Sequence, residues 1–587
     1  MTNDKSQMEN GKWKKYEGKM AADKKKNNGA GAPSEDAQRA AEGILGPNPF
    51  VGFGFTDLLT TAGRLLTQAA KQPRLVIEQQ AAFTRELILA LASKSEIAPE
   101  AGDKRFQDPA WQDNPIYRAS LQTYLAWRRG LHALIDGAGM DRQDTERARF
   151  TVSLLTEALA PTNTLLGNPA ALKNAFDTGG ASLVRGLLNL LDDIAHNGGM
   201  PSQVDKSAFQ VGHNLAVTPG AVVFKNDVLE VIQYAPVTAE VYRRPLLFVP
   251  PQINKFYIFD LAPGRSLFEY AVKHGLQIFT VSWRNPRPEQ RHWNLETYLA
   301  ALLEASDAVR EITGSEEINV MGACAGGITL SALLGHLAAK GDHRVHAVTF
   351  TVALLDTSAE SQLGLFATEA TVALAKRQSQ VKGVLEGQDM ARVFSWLRPN
   401  DLVWNYWVNN YLMGNEPPAF DILYWNNDPT RLPAALHSQF LDFFLANPFK
   451  HPGTLKLLGT PIDLSKVDSD AYLIAGMTDH ITPWKGCYAA TQMLGGKREF
   501  VLSSSGHIQS LVNPPGNPKA KFYVNPQLPA HPDEWLAEAQ PQSGSWWDHW
   551  RAWLVERSGE SLPAPQTLGN KQHHPGAKAP GTYVFEP

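Results

Sequence analysis

Cysteine is almost missing from this chain: 587 residues hold two, Cys324 and Cys487. Two thiols cannot build a disulfide framework, and one of them lies inside a tight turn, so a reducing cytoplasm is the expected location. No H-E-x-x-H and no C-x-x-C pair occurs, and His573-His574 sits in a Pro/Gly-rich tail, so no metal site is expected. Walker-type and G-x-G-x-x-G loops are also missing. No apolar run reaches the roughly 18 residues that span a bilayer, so no transmembrane segment is expected. The first residues, Met1 to Lys5, lack the apolar stretch of a secretory signal. Charge of one sign does not dominate either: 55 Lys+Arg face 59 Asp+Glu, for a formal net charge of -4. Bulk electrostatics therefore points to neither nucleic acid nor an anionic membrane as partner.

What is present is an ordinary globular composition, 43% hydrophobic and 19% charged, in a chain too long for one compact core. Residues 1–45 are polar, with Lys24-Lys25-Lys26 at their centre, and are expected to be a disordered, solvated tail. From 46 to 205 apolar residues recur at helical spacing, as in Leu58, Leu59, Leu65, Leu66 and later Phe83, Leu87, Leu91, predicting an all-α domain. Residues 206–587 change character. Short runs such as Ala221 to Phe224, Val228 to Ile232 and Pro245 to Val249 read as strands, and Pro219-Gly220 and Asn226-Asp227 as turns. Strands and helices then alternate through Leu267 to His274, Gln277 to Val281, Leu295 to Ile312, Ile318 to Met321 and Ala347 to Leu354. Such alternation implies a mainly parallel sheet covered on both faces. It fails over about 357–452, an aromatic, helix-like stretch read as an inserted cap, and resumes at Asp470 to Ala475 and Arg498 to Leu502. Twelve of the fifteen tryptophans follow residue 280. Most read as packing, such as Trp546, Trp550 and Trp553 on one face of a terminal helix; the rest could line an apolar acyl pocket.

Chemistry concentrates at Ile318-Asn319-Val320-Met321-Gly322-Ala323-Cys324-Ala325-Gly326-Gly327. Apolar residues lead in, small residues flank a nucleophile, and a helix-competent stretch follows. That is the strand, sharp turn and helix of a nucleophile elbow, with cysteine where an α/β-hydrolase usually carries serine. Sulfur matters because the acyl intermediate becomes a thioester, which keeps its acyl-transfer potential. In this fold the nucleophile precedes the acid and the acid precedes the histidine. Two loops after Cys324 fit: Gly476-Met477-Thr478-Asp479-His480 and Ser504-Ser505-Gly506-His507. His507 is read as the general base and Asp479 as the group that orients it, with His480 beside them and Asp356 as a rival acid. The oxyanion hole needs two N–H donors. Ala325 supplies one. The loop Pro250-Pro251-Gln252-Ile253-Asn254 supplies the other from Gln252 or Ile253, since proline has no N–H. Cys487 is read as a buried, inert thiol.

The Gly322 to Gly327 box resembles the lipase-like box of polyhydroxyalkanoate synthases. So do Trp396-Leu397-Arg398-Pro399-Asn400-Asp401-Leu402-Val403-Trp404-Asn405-Tyr406, Asp479-His480-Ile481-Thr482-Pro483-Trp484, Ser505-Gly506-His507-Ile508, Asp103 to Trp111, Tyr424-Trp425-Asn426-Asn427-Asp428 and Gly544-Ser545-Trp546-Trp547. The resemblance runs from about Asn48 to Val584. It implies an α/β-hydrolase fold with a cap, preceded by helices. It also implies polymerisation of (R)-3-hydroxyacyl-CoA into a storage polyester with release of CoA, at cytoplasmic granules and as a homodimer. Cys324 would carry the chain as a thioester, His507 would activate it, and Asp479 would either orient His507 or deprotonate the 3-hydroxyl of the attacking unit. Asp421 to Trp425 and Thr460 to Leu464 look more like the medium-chain-length type. Arg398, His480 and Trp425 are the candidate substrate contacts, and CoA enters with the substrate, so no separate cofactor is expected. A cysteine-dependent thioesterase of the same fold is the alternative. A non-catalytic granule coat protein is a second, disfavoured by the retention of nucleophile, acid and base.

Overall fold

A computed structural model describes residues 48–358 and 361–587; the tail expected over 1–45 lies outside the described residues. Helices come first: α1 (Phe55–Ala70), α2 (Pro73–Leu91), α3 (Pro115–Gly137), α4 (Arg142–Ala158), α5 (Pro169–Asp177) and α6 (Ala181–His196). Their starts carry the signals that make them start. Asn114 and Asn168 accept helix N–H groups ahead of Pro115 and Pro169, and Asp141 does the same for α4.

Ten strands then form one sheet. They are β1 (Gly220–Lys225), β2 (Leu229–Tyr234), β3 (Leu246–Val249), β4 (Ile278–Trp283), β5 (Ile318–Ala323), β6 (Val345–Thr351), β7 (Asp470–Gly476), β8 (Arg498–Ser503), β9 (Lys521–Val524) and β10 (Gln540–Ser543). Their spatial order is β1-β2-β4-β3-β5-β6-β7-β8-β9-β10. The run from β4 to β8 is parallel and both edges are antiparallel. Alternate residues of the parallel strands enter opposite cores. Leu247, Val249, Val320, Phe350 and Leu473 face one cluster, and Leu246, Phe248, Met321, Ala347 and Tyr472 the other. A sheet buried on both faces explains why these strands read as continuous apolar runs. One face is covered by α7 (Leu295–Thr313) and α8 (Ala325–Lys340). The other is covered by the terminal helix (Trp546–Val555), whose Trp546, Trp547, Trp550 and Trp553 are buried there. Trp550 also donates its indole N–H to Thr349 Oγ1 at 3.0 Å, and Trp546 to the Ser510 carbonyl at 2.7 Å. This is the α/β-hydrolase architecture expected from the sequence.

One strand ends earlier than the sequence suggested. Apolar residues continue from Ala347 to Leu355, but β6 stops at Thr351 because Val352 takes a positive φ of 44°. Such a φ is an outlier for a β-branched residue and ends ladder pairing. The chain then runs into the insertion between β6 and β7. Its helices are Glu369–Lys382, Gly387–Leu397, Asp421–Asn426 and Ala434–Ala446, with two π-helical stretches at Asn400–Trp404 and Trp407–Leu412. Helix α6 grips the second stretch. A Cβ on Gly186 would come within 1.9 Å of the Tyr411 carbonyl oxygen, so only glycine permits this approach. The Tyr411 hydroxyl donates to buried Asp193 Oδ2 at 2.7 Å, and Trp407 Nε1 donates to the Asn163 carbonyl at 3.1 Å.

Candidate active site

Parallel pairing in register puts the carboxyl ends of β3, β5, β6, β7 and β8 along one edge, with Val249 opposite Gly322, Ala323 opposite Thr351, and Gly476 opposite Ser503. The elbow, the loops carrying Gln252, Asp479 and His507, and the insertion after β6 all leave from this edge. Cys324 follows β5 directly, with φ 49° and ψ -123°, and α8 begins at the next residue. A cysteine held at positive φ is strained, and the strain points its side chain out of the turn. The neighbours must be small. A Cβ on Gly326 would sit 2.4 Å from the Val249 oxygen and 2.5 Å from the Pro250 oxygen, and one on Gly327 would meet the Ala353 Cβ at 2.5 Å. Cys324 is half-buried and packs against the apolar cluster that contains Trp425.

Asp479 and His507 meet across the β7 and β8 loops. His507 Nδ1 lies 2.6 Å from Asp479 Oδ2, and both side chains are almost wholly buried. The two loops are themselves tied together: Met477 N–H donates to the Ser503 carbonyl at 2.8 Å, and Thr478 N–H to that of Ser505 at 3.2 Å. Asp479 Oδ1 accepts the N–H groups of Ile481 and Thr482, each at 2.9 Å, while the Thr482 hydroxyl reaches Oδ2 at 2.7 Å and His507 Nδ1 at 3.1 Å. Burial alone would raise the Asp479 pKa, but the His507 charge and these donors outweigh it and hold it below the ordinary value. The same competition runs in reverse at His507. Burial works to lower its pKa, yet the Asp479 carboxylate and the neighbouring Cys324 sulfur carry it up to about 10. The structure thus brings Cys324, His507 and Asp479 together.

The remaining candidates divide. Ala325 is the first residue of α8, where an N–H has no partner inside the helix. Gln252 and Ile253 are buried, and neither backbone N–H has an acceptor among the described residues. Their carbonyls are used: Thr430 of the insertion donates its hydroxyl to Gln252 O at 2.6 Å and its N–H to Ile253 O at 3.1 Å. The Gln252 side chain donates to Thr329 Oγ1 of α8 at 2.9 Å. Asp356 does not face His507. It accepts from Ser358, from Asn447 at 2.7 Å and from Lys450 at 3.4 Å, because β6 ends early and carries it toward the cap. Trp425 is buried, with its indole N–H fixed on the Lys255 carbonyl at 2.7 Å. His480 is half-buried, and burial pulls its pKa down to about 4, with Arg398 and His507 pushing the same way against Asp479. It is therefore neutral near pH 7. Arg398 is half-exposed and paired with Asp401 at 2.5 Å. Cys487 is buried, its thiol on the Thr482 carbonyl at 3.5 Å, and burial pushes its pKa up.

Thr482 is the site residue that the sequence reading passed over. It lay inside a quoted motif, and the signal was there: an Asp followed by Thr three residues on, the spacing of a side chain that caps its own turn.

The profile described as Poly-beta-hydroxybutyrate polymerase (PhaC) N-terminus matches residues 102–271, and the alpha/beta hydrolase fold matches residues 253–514. The chain is 54% identical to Poly(3-hydroxyalkanoate) polymerase 1 of Ectopseudomonas oleovorans, over 94% of this chain and 99% of that one. It is 42% identical to the Poly(3-hydroxyalkanoate) polymerase subunit PhaC of Cupriavidus necator, over 84% of each. Among solved structures, a monoacylglycerol lipase of Paleococcus ferrophilus aligns with a TM-score of 0.32 and 14% identity, over 56% of this chain and 98% of that one. With identity this high over nearly the whole length, the chain belongs to the poly(3-hydroxyalkanoate) polymerase family and is an acyltransferase of polyhydroxyalkanoate synthesis.

Proposed function

We propose that this enzyme takes (R)-3-hydroxyacyl-CoA, of medium or mixed chain length, and grows a polyester on Cys324. His507 Nε2 accepts the Cys324 proton, and the thiolate attacks the thioester carbonyl of the acyl-CoA. The N–H groups of Ala325 and of Gln252 or Ile253 take the developing oxyanion. The carbon–sulfur bond to CoA breaks, and His507 returns its proton to the departing CoA thiolate. The 3-hydroxyl of the next hydroxyacyl-CoA then attacks the acyl-Cys324 thioester, its proton passing to His507. The carbon–sulfur bond to Cys324 breaks as the oxoester forms, the Cys324 thiolate regains the proton, and the acyl-CoA, one unit longer, reloads Cys324 with release of CoA. The first transfer exchanges one thioester for another and the second is downhill. No electron is gained or lost, so the scheme calls for no cofactor beyond the CoA carried in with the substrate.

One observation carries the reading: a half-buried cysteine on a strained elbow, beside an imidazole whose Nδ1 is held by a buried carboxylate. The same geometry favours orientation of His507 as the task of Asp479. Its two oxygens already receive four donors and its side chain is closed to solvent, which leaves little room to take a proton from a substrate hydroxyl. Arg398 and His480 are proposed contacts for CoA, His480 as a neutral hydrogen-bonding partner. Work at a cytoplasmic granule, as a homodimer, is part of the proposal. Support for the granule comes from apolar side chains that the helices before residue 200 leave in solvent, from Leu66 at 66% exposure to Ile116 and Phe176 at 78%. Among the described residues no helix is long and apolar enough to cross a membrane, so contact with the polymer would be at its surface.

The test is incubation of purified protein with (R)-3-hydroxyacyl-CoA, following CoA with a thiol reagent and analysing the acyl product. The expectation is CoA release together with polymer, both abolished in Cys324→Ala. Free hydroxy acid in place of polymer would mean a thioesterase, and undiminished turnover by Cys324→Ala would remove the acyl-cysteine scheme.

A further inference from the structure

Asp479 takes two donors on each oxygen, and their origins differ. Those on Oδ1 are the backbone N–H groups of Ile481 and Thr482, which define the turn itself. Those on Oδ2 are side chains, His507 at 2.6 Å and Thr482 at 2.7 Å. The Thr482 hydroxyl is therefore not needed to close the turn. It reaches the oxygen that His507 uses and lies 3.1 Å from the same imidazole nitrogen. We propose that Thr482 is a positioning residue of the acyl-transfer site, locking the tautomer and orientation of His507.

Donor and acceptor capacity forces the arrangement. An ionised carboxylate only accepts, so the hydroxyl hydrogen points at Asp479 Oδ2 and the Oγ1 lone pairs turn toward His507. Nδ1 then faces two acceptors and must carry the hydrogen. Nε2 is left as the basic nitrogen, the one a nucleophile needs. The hydroxyl cannot turn away to water, because Thr482 is 5% exposed. Its backbone is held as well: its N–H is spent on Asp479, its carbonyl takes the Cys487 thiol, and Pro483 fixes the next φ.

The inference rests on the reading of His507 as the base for Cys324, but its test needs no acyl-CoA. Alkylation of Cys324 by iodoacetamide, with the Cys324→Ala protein as blank, reads the nucleophile directly. Thr482→Val keeps the shape of the side chain and removes the hydroxyl; Thr482→Ser keeps the hydroxyl. The valine protein should alkylate roughly tenfold more slowly at neutral pH, the size expected for one buried hydrogen bond to a charged pair. His507 should also lose its proton at lower pH in that variant. The carboxylate is ionised before and after that step, so its lost donor cancels; Nδ1 carries its hydrogen in both forms of the ring, and the charged imidazolium loses the stronger bond to Oγ1. The serine protein should match wild type on both counts.

A valine protein with wild-type rate and His507 titration overturns the proposal. So does a serine protein that behaves like the valine one, since shape and not the hydroxyl would then be responsible. Should the valine protein not fold, 15N NMR of histidine-labelled wild type decides: protonation of His507 at Nε2 in place of Nδ1 overturns the assignment. Failure of the polymerisation reading would appear instead as free acid or as turnover by Cys324→Ala, with these alkylation results unchanged.

Discussion

At the scale of single residues the site depends on opposed electrostatic effects whose balance sets protonation. Burial acts against the charged forms of both Asp479 and His507, and each overcomes it through the other. The pH consequence has a definite sign. Asp479, held below its ordinary pKa, contributes stability that is present above the normal carboxylate range and lost as pH falls through its folded value. His507, held above its ordinary pKa, contributes stability that is full below the normal imidazole range and lost as pH rises through its folded value. The pair therefore favours the folded site most between the two ordinary ranges, from about pH 4 to about pH 6.5, and the margin shrinks as pH rises toward the folded His507 value of about 10. Asp479→Asn should remove that window and also slow turnover by on the order of a thousandfold, because an amide can present its NH2 to Nδ1 and select the wrong tautomer. Steady-state rates and unfolding midpoints measured across pH check both. Equal activity of the asparagine protein would rule out the orienting role.

At the scale of elements the elbow is a contact between backbones. Strand β3, the loop after it and the start of α8 approach so closely that Gly326 has no space for a methyl group, its Cβ direction being filled by the Val249 and Pro250 oxygens. Trp283 Nε1 fixes the Pro250 carbonyl at 2.9 Å, so the loop cannot retreat cheaply. Gly326→Ala is expected to cost about 1–3 kcal/mol of stability, by forced displacement in a packed region, and to lose activity beyond that by shifting the oxyanion donors. Denaturant melts beside assays of the remaining folded protein separate the two effects. A second element-level contact lies between α4 and the cap. Burial raises the Glu157 pKa to about 7 despite Arg105 and Arg128 nearby, and one of its oxygens has no hydrogen-bond partner. Arg105 meanwhile donates to Asn400 Oδ1 of the π-helical stretch at 3.1 Å. A carboxyl raised in this way costs stability as pH climbs from its ordinary value toward 7, where the full penalty is reached. Glu157→Gln should thus stabilise the protein by about 2 kcal/mol above pH 7 and leave it unchanged under acid conditions where both states are protonated. Thermal melts at several pH values test this, and a shift independent of pH would contradict it.

At the scale of the whole molecule the segment ahead of the first helix ties the cap to the catalytic core. Phe50, Val51 and Phe53 are buried in the same cluster as the sheet, and Phe53 stacks on Phe366 with ring centroids 3.7 Å apart. His437, fully buried in a cap helix, is hydrogen-bonded through Nε2 to the Phe50 carbonyl at 2.8 Å. Its burial lowers its pKa to about 4. Stability from this contact is complete above the ordinary imidazole pKa and is lost as pH falls toward 4, because the unfolded chain binds a proton that the folded one refuses. Phe50→Ala is expected to cost about 3–5 kcal/mol, the range for truncating a buried phenylalanine, and to expose the cap to proteolysis before the sheet. Limited digestion with mapping of the first cut distinguishes that outcome from uniform loss of structure.

The sequence by itself determined the elbow, the chain order of nucleophile, acid and base, and the covered parallel sheet. Each of these is written in local residue types or in periodicity: small residues around Cys324, loops ending in Asp479 and His507 after apolar runs, and helices between strands. Tertiary structure decided the rest, because the deciding contacts join residues far apart in the chain. Val352 breaks a strand that its apolar neighbours would have continued, and so Asp356 goes to Asn447 and Lys450 instead of to His507. Trp425, read as a possible substrate contact, spends its indole N–H on a carbonyl 170 positions away in sequence. Thr482 gained its place only once two loops had been brought side by side at one edge of the sheet. Periodicity records which face of an element is apolar, but not which partner will cover that face.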